Sequence, residues 1–163
     1  MHIRTIQQKD NQNIETIIKQ SLESENLNIP GTAYFDPYLG ELYQFYQREP
    51  GGHYWVAADE NDEAIGGVGI GPFGNHAGVG ELQKLYLAPA AKGQGIAKKL
   101  IQTALEFASK HYAQCYLETF ESLTAANRLY EKFGFIKLEQ PLPGSDHNAC
   151  DCWYIKELNV TGT

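Results

Sequence analysis

The chain has 163 residues, 42% of them hydrophobic and 20% charged, enough for one domain with a core of its own and too ordered in composition for a disordered tail. Mean hydropathy is −0.41 and no apolar run approaches the ~18 residues of a membrane span, so a transmembrane helix is excluded. Thirteen Lys and Arg against twenty Asp and Glu leave a formal charge of −7, which argues against a nucleic-acid coat or an anionic membrane as partner.

In chain order, His2 to Ile6 reads as a first strand, and Ile14, Ile17, Ile18 and Leu22 recur at helical spacing. Pro30-Gly31 breaks the chain, Leu39 to Arg48 reads as an aromatic-rich second helix, and Pro50-Gly51-Gly52 ends it. His53 to Ala58 and Ala64 to Pro72 form a hairpin around Asn61-Asp62, and a glycine-rich connection leads to a strand from Val79 to Leu87. Gly93 to Gly95 then opens a helix whose Ile96, Leu100, Ile101, Ala104, Leu105 and Ala108 make one apolar stripe. Gln114 to Phe120 is a strand. Ser122 is placed to cap a helix over Leu123 to Phe133 that Gly134 ends, and Phe135 to Leu138 and Cys150 to Leu158 supply the last strands. The order βααβββαβαββ predicts an α/β chain, a single domain over residues 1–163 with a mixed sheet and helices on both faces.

Three cysteines, Cys115, Cys150 and Cys152, with no export signal at the N-terminus, fit a reducing cytoplasm better than a disulfide scaffold. Cys150, Cys152 and nearby His147 lack paired metal-ligand spacing, so small buried thiols and no metal are expected. The charge is unevenly spread: from Lys84 to Lys99 there are four lysines and no acidic residue. That window also contains a strand, a glycine turn and a helix start, where unpaired backbone N–H groups and the helix dipole favour a diphosphate. A P-loop needs Gly-Lys-Ser/Thr where this chain has Gly95-Ile96-Ala97-Lys98-Lys99, and a dinucleotide fingerprint needs a third glycine at Lys98.

Lys92-x-x-Gly95-x-Ala97 resembles the acyl-CoA pyrophosphate loop of the GNAT superfamily of N-acetyltransferases, whose usual form is Gln/Arg-x-x-Gly-x-Gly/Ala. Downstream, Asn127-Arg128-Leu129-Tyr130, continuing to Gly134-Phe135, resembles that family's Asn-x-x-Tyr-x-x-x-Gly-Phe segment. The two motifs come in the family's order with a strand between them. Lys92 departs from the usual Arg or Gln: it keeps the charge and lacks the planar fork.

The resemblance implies a mostly antiparallel sheet of six to seven strands, splayed between its central strands, with acetyl-CoA as co-substrate. It implies backbone contacts to the pantetheine arm from Leu85, Tyr86 and Leu87, a pyrophosphate cradle from Lys92, Gly93, Gln94, Gly95, Ile96, Ala97 and Lys98, and a contact from Asn127. Tyr130 becomes the acid for the departing thiolate, backbone N–H near Leu85 the donor to the developing oxyanion, and Glu81 the base, with Glu118 and then His147 in reserve. Tyr34 and Phe35, with Glu118, are the expected acceptor contacts. A small primary amine such as an amino acid is the expected acceptor. A protein N-terminus or lysine, or a CoA-binding module without catalysis, are the alternatives. The family's fold makes homodimers common, and the sequence sets no oligomeric state.

Overall fold

The computed structural model describes residues 1–158. Seven strands form one sheet in the order β1-β2-β3-β4-β5-β7-β6. They are β1 (His2–Thr5), β2 (His53–Ala58), β3 (Ala64–Pro72), β4 (Val79–Leu87), β5 (Gln114–Thr119), β6 (Ile136–Leu138) and β7 (Cys152–Glu157). Every neighbouring pair is antiparallel except β4 and β5. The helices are α1 (Asn11–Ser24), α2 (Leu42–Arg48), α3 (Ile96–His111) and α4 (Thr124–Lys132).

The apolar stripes place these helices. Ile14, Ile17, Ile18 and Leu22 of α1 are buried with Leu42 and Tyr46 of α2 against one face of the sheet, over Tyr54 and Val56. On the opposite face Ile96, Leu100, Ile101, Ala104 and Ala108 of α3 pack on Trp55, Val68, Ile70 and Leu82. Alternation along the strands sends side chains to both faces, so one sheet serves two cores.

Four boundaries differ from the sequence reading. The second helix begins at Leu42, because Leu39–Glu41 is a 3-10 turn and Glu41 sits at φ −135°, ψ 42°. Its start is held from another helix, where Asn11 Oδ1 accepts from Tyr43 N–H at 2.9 Å. Ser122 does not cap α4: the cap position is Leu123, with no side-chain bond, and Ser122 lines a cavity instead. β5 stops at Thr119, short of Phe120, and the last strand starts at Cys152, since Asp151 N–H leaves the ladder to reach Thr119 O at 3.2 Å.

Two features open the sheet. β4 and β5 pair only at Val79–Gln114, Gly80–Cys115 and Glu81–Tyr116, and beyond those residues the strands part. On its other side β4 carries a bulge: Gly69 pairs Gln83 and Gly67 pairs Tyr86, so Val68 alone faces both Lys84 and Leu85. Lys84 takes φ +51°, a left-handed conformation that costs a lysine about 1–2 kcal/mol and persists only where neighbours enforce it. Glycines on β3 supply the room. A Cβ on Gly67 would lie 2.5 Å from the Tyr54 ring, and one on Gly69 2.6 Å from the Tyr46 hydroxyl. Both tyrosines therefore lie across β3 and reach β4, Tyr54 Oη donating to Lys84 O at 2.9 Å and Tyr46 Oη to Gln83 Oε1 at 2.5 Å.

Candidate active site

The fork between β4 and β5 is a cavity of about 840 Å³. Leu82 to Leu87 form one wall and Leu117 to Phe120 the other. One end meets the starts of α3 and α4, at Lys92, Gly93, Ala97 and Ala126, and the other lies under residues 32–49 and 144–150. A fork of this kind leaves β4 backbone groups free of a neighbouring strand, available to an extended ligand that adds itself to the sheet.

At the first end, Gly93 has φ +79° and Gly95 φ +76°, and a Cβ at either would meet nothing within 4 Å. Glycine is needed there for the left-handed backbone, and the surrounding space is open. Lys99 N–H makes the first intrahelical bond of α3, to Gly95 O at 3.3 Å, so the amides of Ile96, Ala97 and Lys98 point out of the helix start unpaired within it. Lys92 and Lys98 are exposed beside them, whereas Ile96 anchors the helix in the core. Gln94 turns back, Nε2 donating to Ala90 O at 2.8 Å.

Asn127 on α4 is buried, with Nδ2 donating to Phe120 O at 2.9 Å. Its Oδ1 is the single buried side-chain polar atom among the described residues without a partner. A buried amide oxygen left unpaired costs about 1–3 kcal/mol, which a ligand donor would recover. Open glycine turns, unpaired helix-start amides and this orphaned oxygen fit a diphosphate-bearing acyl carrier with an amide-containing arm.

In the middle of the fork stands Tyr130. It is buried on α4 and lines the cavity. Its neighbours Tyr154 and Tyr116 commit their hydroxyls to Glu131 and Glu118, at 2.8 and 2.9 Å. The Tyr130 hydroxyl makes no such bond among the described residues and is free for a ligand. Burial holds its pKa well above the phenol range, so it stays protonated.

Glu81 sits where β4 and β5 part. Burial pushes its carboxyl up to about 7, Gln83 Nε2 donating at 2.9 Å counteracts, and the charge of Glu118 adds to the rise. A carboxylate poised there suits a general base at neutral pH. Glu118 lines the same cavity, but both its oxygens are engaged, Oε2 by Tyr116 Oη at 2.9 Å and Oε1 by Ser145 Oγ at 2.5 Å. Cys150 also lines the cavity; burial raises its thiol to about 12, which leaves it a poor nucleophile.

The expected acceptor aromatics are not brought together there. Tyr34 turns its hydroxyl to Glu23 at 2.6 Å and Phe35 is 57% exposed, and neither lines the cavity. Tyr38 and Phe45, stacked with centroids 4.0 Å apart, take that position. Sequence reasoning also passed over the grouping of Asp36, Lys84 and His147 above them. Lys84 Nζ lies 2.7 Å from Asp36, and His147 Nε2 lies 3.0 Å from it. Asp36 and His147 are 111 residues apart in sequence, and no local pattern signals that they meet.

Fold and site together define a transferase that takes its group from a diphosphate-bearing carrier laid in a splayed sheet. Residues 18–135 match the Acetyltransferase (GNAT) family, and the chain belongs to it. It is 39% identical over 159 residues to the uncharacterized N-acetyltransferase YjgM of Escherichia coli K12, covering 96% of this chain and 94% of that one. A GNAT-family acetyltransferase from Staphylococcus aureus Mu50 superposes with a TM-score of 0.82 at 20% identity, over 97% and 99% of the two chains. The phosphinothricin acetyltransferase of Sinorhizobium meliloti, solved in complex with AcCoA, superposes with a TM-score of 0.73 at 22% identity, over 96% and 88%. The protein is thus an N-acetyltransferase of a family that uses acetyl-CoA. Among the described residues no helix is long and apolar enough to cross a membrane.

Proposed function

We propose that this enzyme acetylates the primary amine of a small molecule by direct transfer within one ternary complex. The observation that carries the small acceptor is the roof over the far end of the cavity. The 30–37 and 143–150 loops close on each other across it, Ala149 N–H donating to Gly31 O at 3.2 Å and His147 Nε2 meeting both oxygens of Asp36 at 3.0 and 3.1 Å. Asn148 Oδ1 would lie 2.4 Å from a Cβ on Gly31, so the loops pack without a gap there. An open groove for a polypeptide is not what these contacts build.

Acetyl-CoA, when bound, supplies an acetyl group already activated as a thioester. The glycine turn at 93–95 and the first amides of α3 hold its diphosphate, with Lys92 and Lys98 screening the charge. Leu85, Tyr86 and Leu87 offer β4 backbone to the arm, and Asn127 Oδ1 accepts from it. Glu81 takes the proton from the acceptor ammonium, directly or through one water, which its elevated pKa suits near neutrality. Backbone N–H beside the Lys84 bulge faces the position where negative charge builds on the carbonyl oxygen, and a donor fixed in advance stabilises that charge without reorganising. Tyr130 Oη gives its proton toward the departing sulfur.

The test is thiol release from acetyl-CoA with single amino acids, polyamines, aminoglycosides and short peptides as acceptors. Turnover with a small amine, lost in Tyr130→Phe, supports the reading. Turnover confined to peptides overturns the small acceptor.

A further inference from the structure

Asp36 lies where the 30–37 loop, β4 and the 143–150 loop meet. Its carboxylate takes two cationic partners at once, Lys84 Nζ at 2.7 Å and His147 Nε2 at 3.0 Å. The three are withdrawn from solvent, with side chains exposed by 4% for Lys84, 12% for Asp36 and 23% for His147. Lys84 and His147 line the cavity, and Asp36 does not. One carboxylate behind two cationic side chains leaves an excess positive charge on the cavity side whenever His147 holds its proton. Burial draws the His147 pKa down, but the Asp36 carboxylate outweighs it and the net shift is upward.

Lys84 is held for this purpose at several points. The bulge turns it to the same side of the sheet as Gln83, Tyr54 fixes its carbonyl, and its ammonium lies 5.1 Å above the Tyr38 ring. A lysine restrained in this way has little rotamer freedom left to lose on meeting an anion. Three residues earlier on β4 stands Glu81, close enough to feel the charges of Lys84 and His147 as well as that of Glu118. The acceptor end of the cavity therefore has two poles, cationic at Lys84 and His147 and anionic at Glu81 and Glu118.

We infer that the acceptor carries a carboxylate as well as the reacting amine, as an amino acid does, with Lys84 and His147 reading the carboxylate while the amine faces Glu81. This rests on the acetyl-transfer reading and deepens it. A diamine of similar size would set its second ammonium against Lys84, and an uncharged tail would leave the cationic pole without a ligand partner.

The experiment measures, on the full chain, both calorimetric binding in the presence of saturating CoA and acetyl transfer from acetyl-CoA. The probes are the common L-amino acids, their carboxamides and their decarboxylated amines. Acids are expected to bind and react at least about tenfold better than the matching carboxamides, the discrimination one charge-assisted hydrogen bond supplies. In His147→Gln, and in the charge-balanced pair Lys84→Met with Asp36→Asn, that ratio is expected to collapse to within about threefold while acetyl-CoA affinity holds. Should the paired variant fail to fold, His147→Gln alone carries the comparison.

Carboxamides or decarboxylated amines binding as well as acids, an acid preference that survives in the variants, or no amino acid binding at all overturns the inference. Acetylation of amines without a carboxylate overturns it while leaving acetyl transfer standing. Selective acid binding without any transfer supports the carboxylate site and removes the catalytic reading.

Discussion

Glu81→Gln separates the chemistry of the base from its effect on the fold. In the folded protein burial lifts the Glu81 carboxyl from 4.5 to about 7. The unfolded chain gives up that proton near 4.5, so folding takes up a proton between the two values and stability falls as pH climbs through the window. A displacement of that size corresponds to at most about 3 kcal/mol of preference for the neutral form, lost progressively between about pH 4.5 and 7. Glutamine is neutral at every pH, has nearly the same shape, and can keep an oxygen toward Gln83 Nε2. At pH 5 the variant and the parent should melt together. By pH 8 the variant should melt several degrees higher, since about 1 kcal/mol moves Tm by ~2–4 °C in a chain of this size.

Activity should move the other way. The parent's kcat/KM is expected to rise with pH to a bend near 7 as Glu81 loses its proton, with a separate limb from the acceptor's own amine at higher pH. In Glu81→Gln the lower limb should vanish and the rate fall by about 10²–10⁴-fold, the range for loss of a general base. Calorimetric melting from pH 5 to 8 and pH–rate profiles on the same samples check both halves. A melting difference that does not change with pH refutes the buried, elevated carboxyl. An unchanged lower limb refutes its role as base.

Tyr130→Phe removes a hydroxyl that no described residue uses, so kcat should drop by about 10²–10⁴-fold while the dissociation constant of acetyl-CoA stays within about twofold in calorimetry. Gly95→Asp places a carboxylate in the diphosphate cradle and forces an ordinary residue to φ +76°; acetyl-CoA should bind at least about tenfold more weakly by the repulsion of like charges alone, and unchanged affinity would remove the cradle from the account. Asn127→Ala deletes both the tie to Phe120 O and the orphaned oxygen, so it should lower stability by about 1 kcal/mol in denaturant melts and weaken acetyl-CoA binding together; a loss of stability with full affinity would make Asn127 purely structural.

The parts of this molecule that repeat locally were legible in its sequence. Ile14, Ile17, Ile18 and Leu22 recur every three to four residues and all are buried where that period places them. The turn from Lys92 to Gly95 into α3 was equally plain, because left-handed glycines and a helix start leave a short, contiguous signature. What escaped was decided at a distance. Glu41 lies in a stretch patterned as helix, yet α2 starts only at Leu42, where Asn11 of α1 meets the backbone of Tyr43. Tyr34, Phe35, Tyr38 and Phe45 are alike as aromatics close in sequence, and only the path of the loop decides that the second pair faces the cavity. The Asp36, Lys84 and His147 cluster draws on three separate segments, so its meaning exists only after the sheet has formed and the bulge at Lys84 has turned that side chain.

The central claim is acetyl transfer to a small amine inside the β4–β5 fork. Thiol release from acetyl-CoA, run across amino acids, polyamines, aminoglycosides and short peptides with Tyr130→Phe alongside, tests it most directly. The account predicts rapid release with one small-amine class, stoichiometric N-acetylated product by mass spectrometry, and loss of both in the variant. Release that depends on a polypeptide acceptor, or that proceeds undiminished without the Tyr130 hydroxyl, would contradict it.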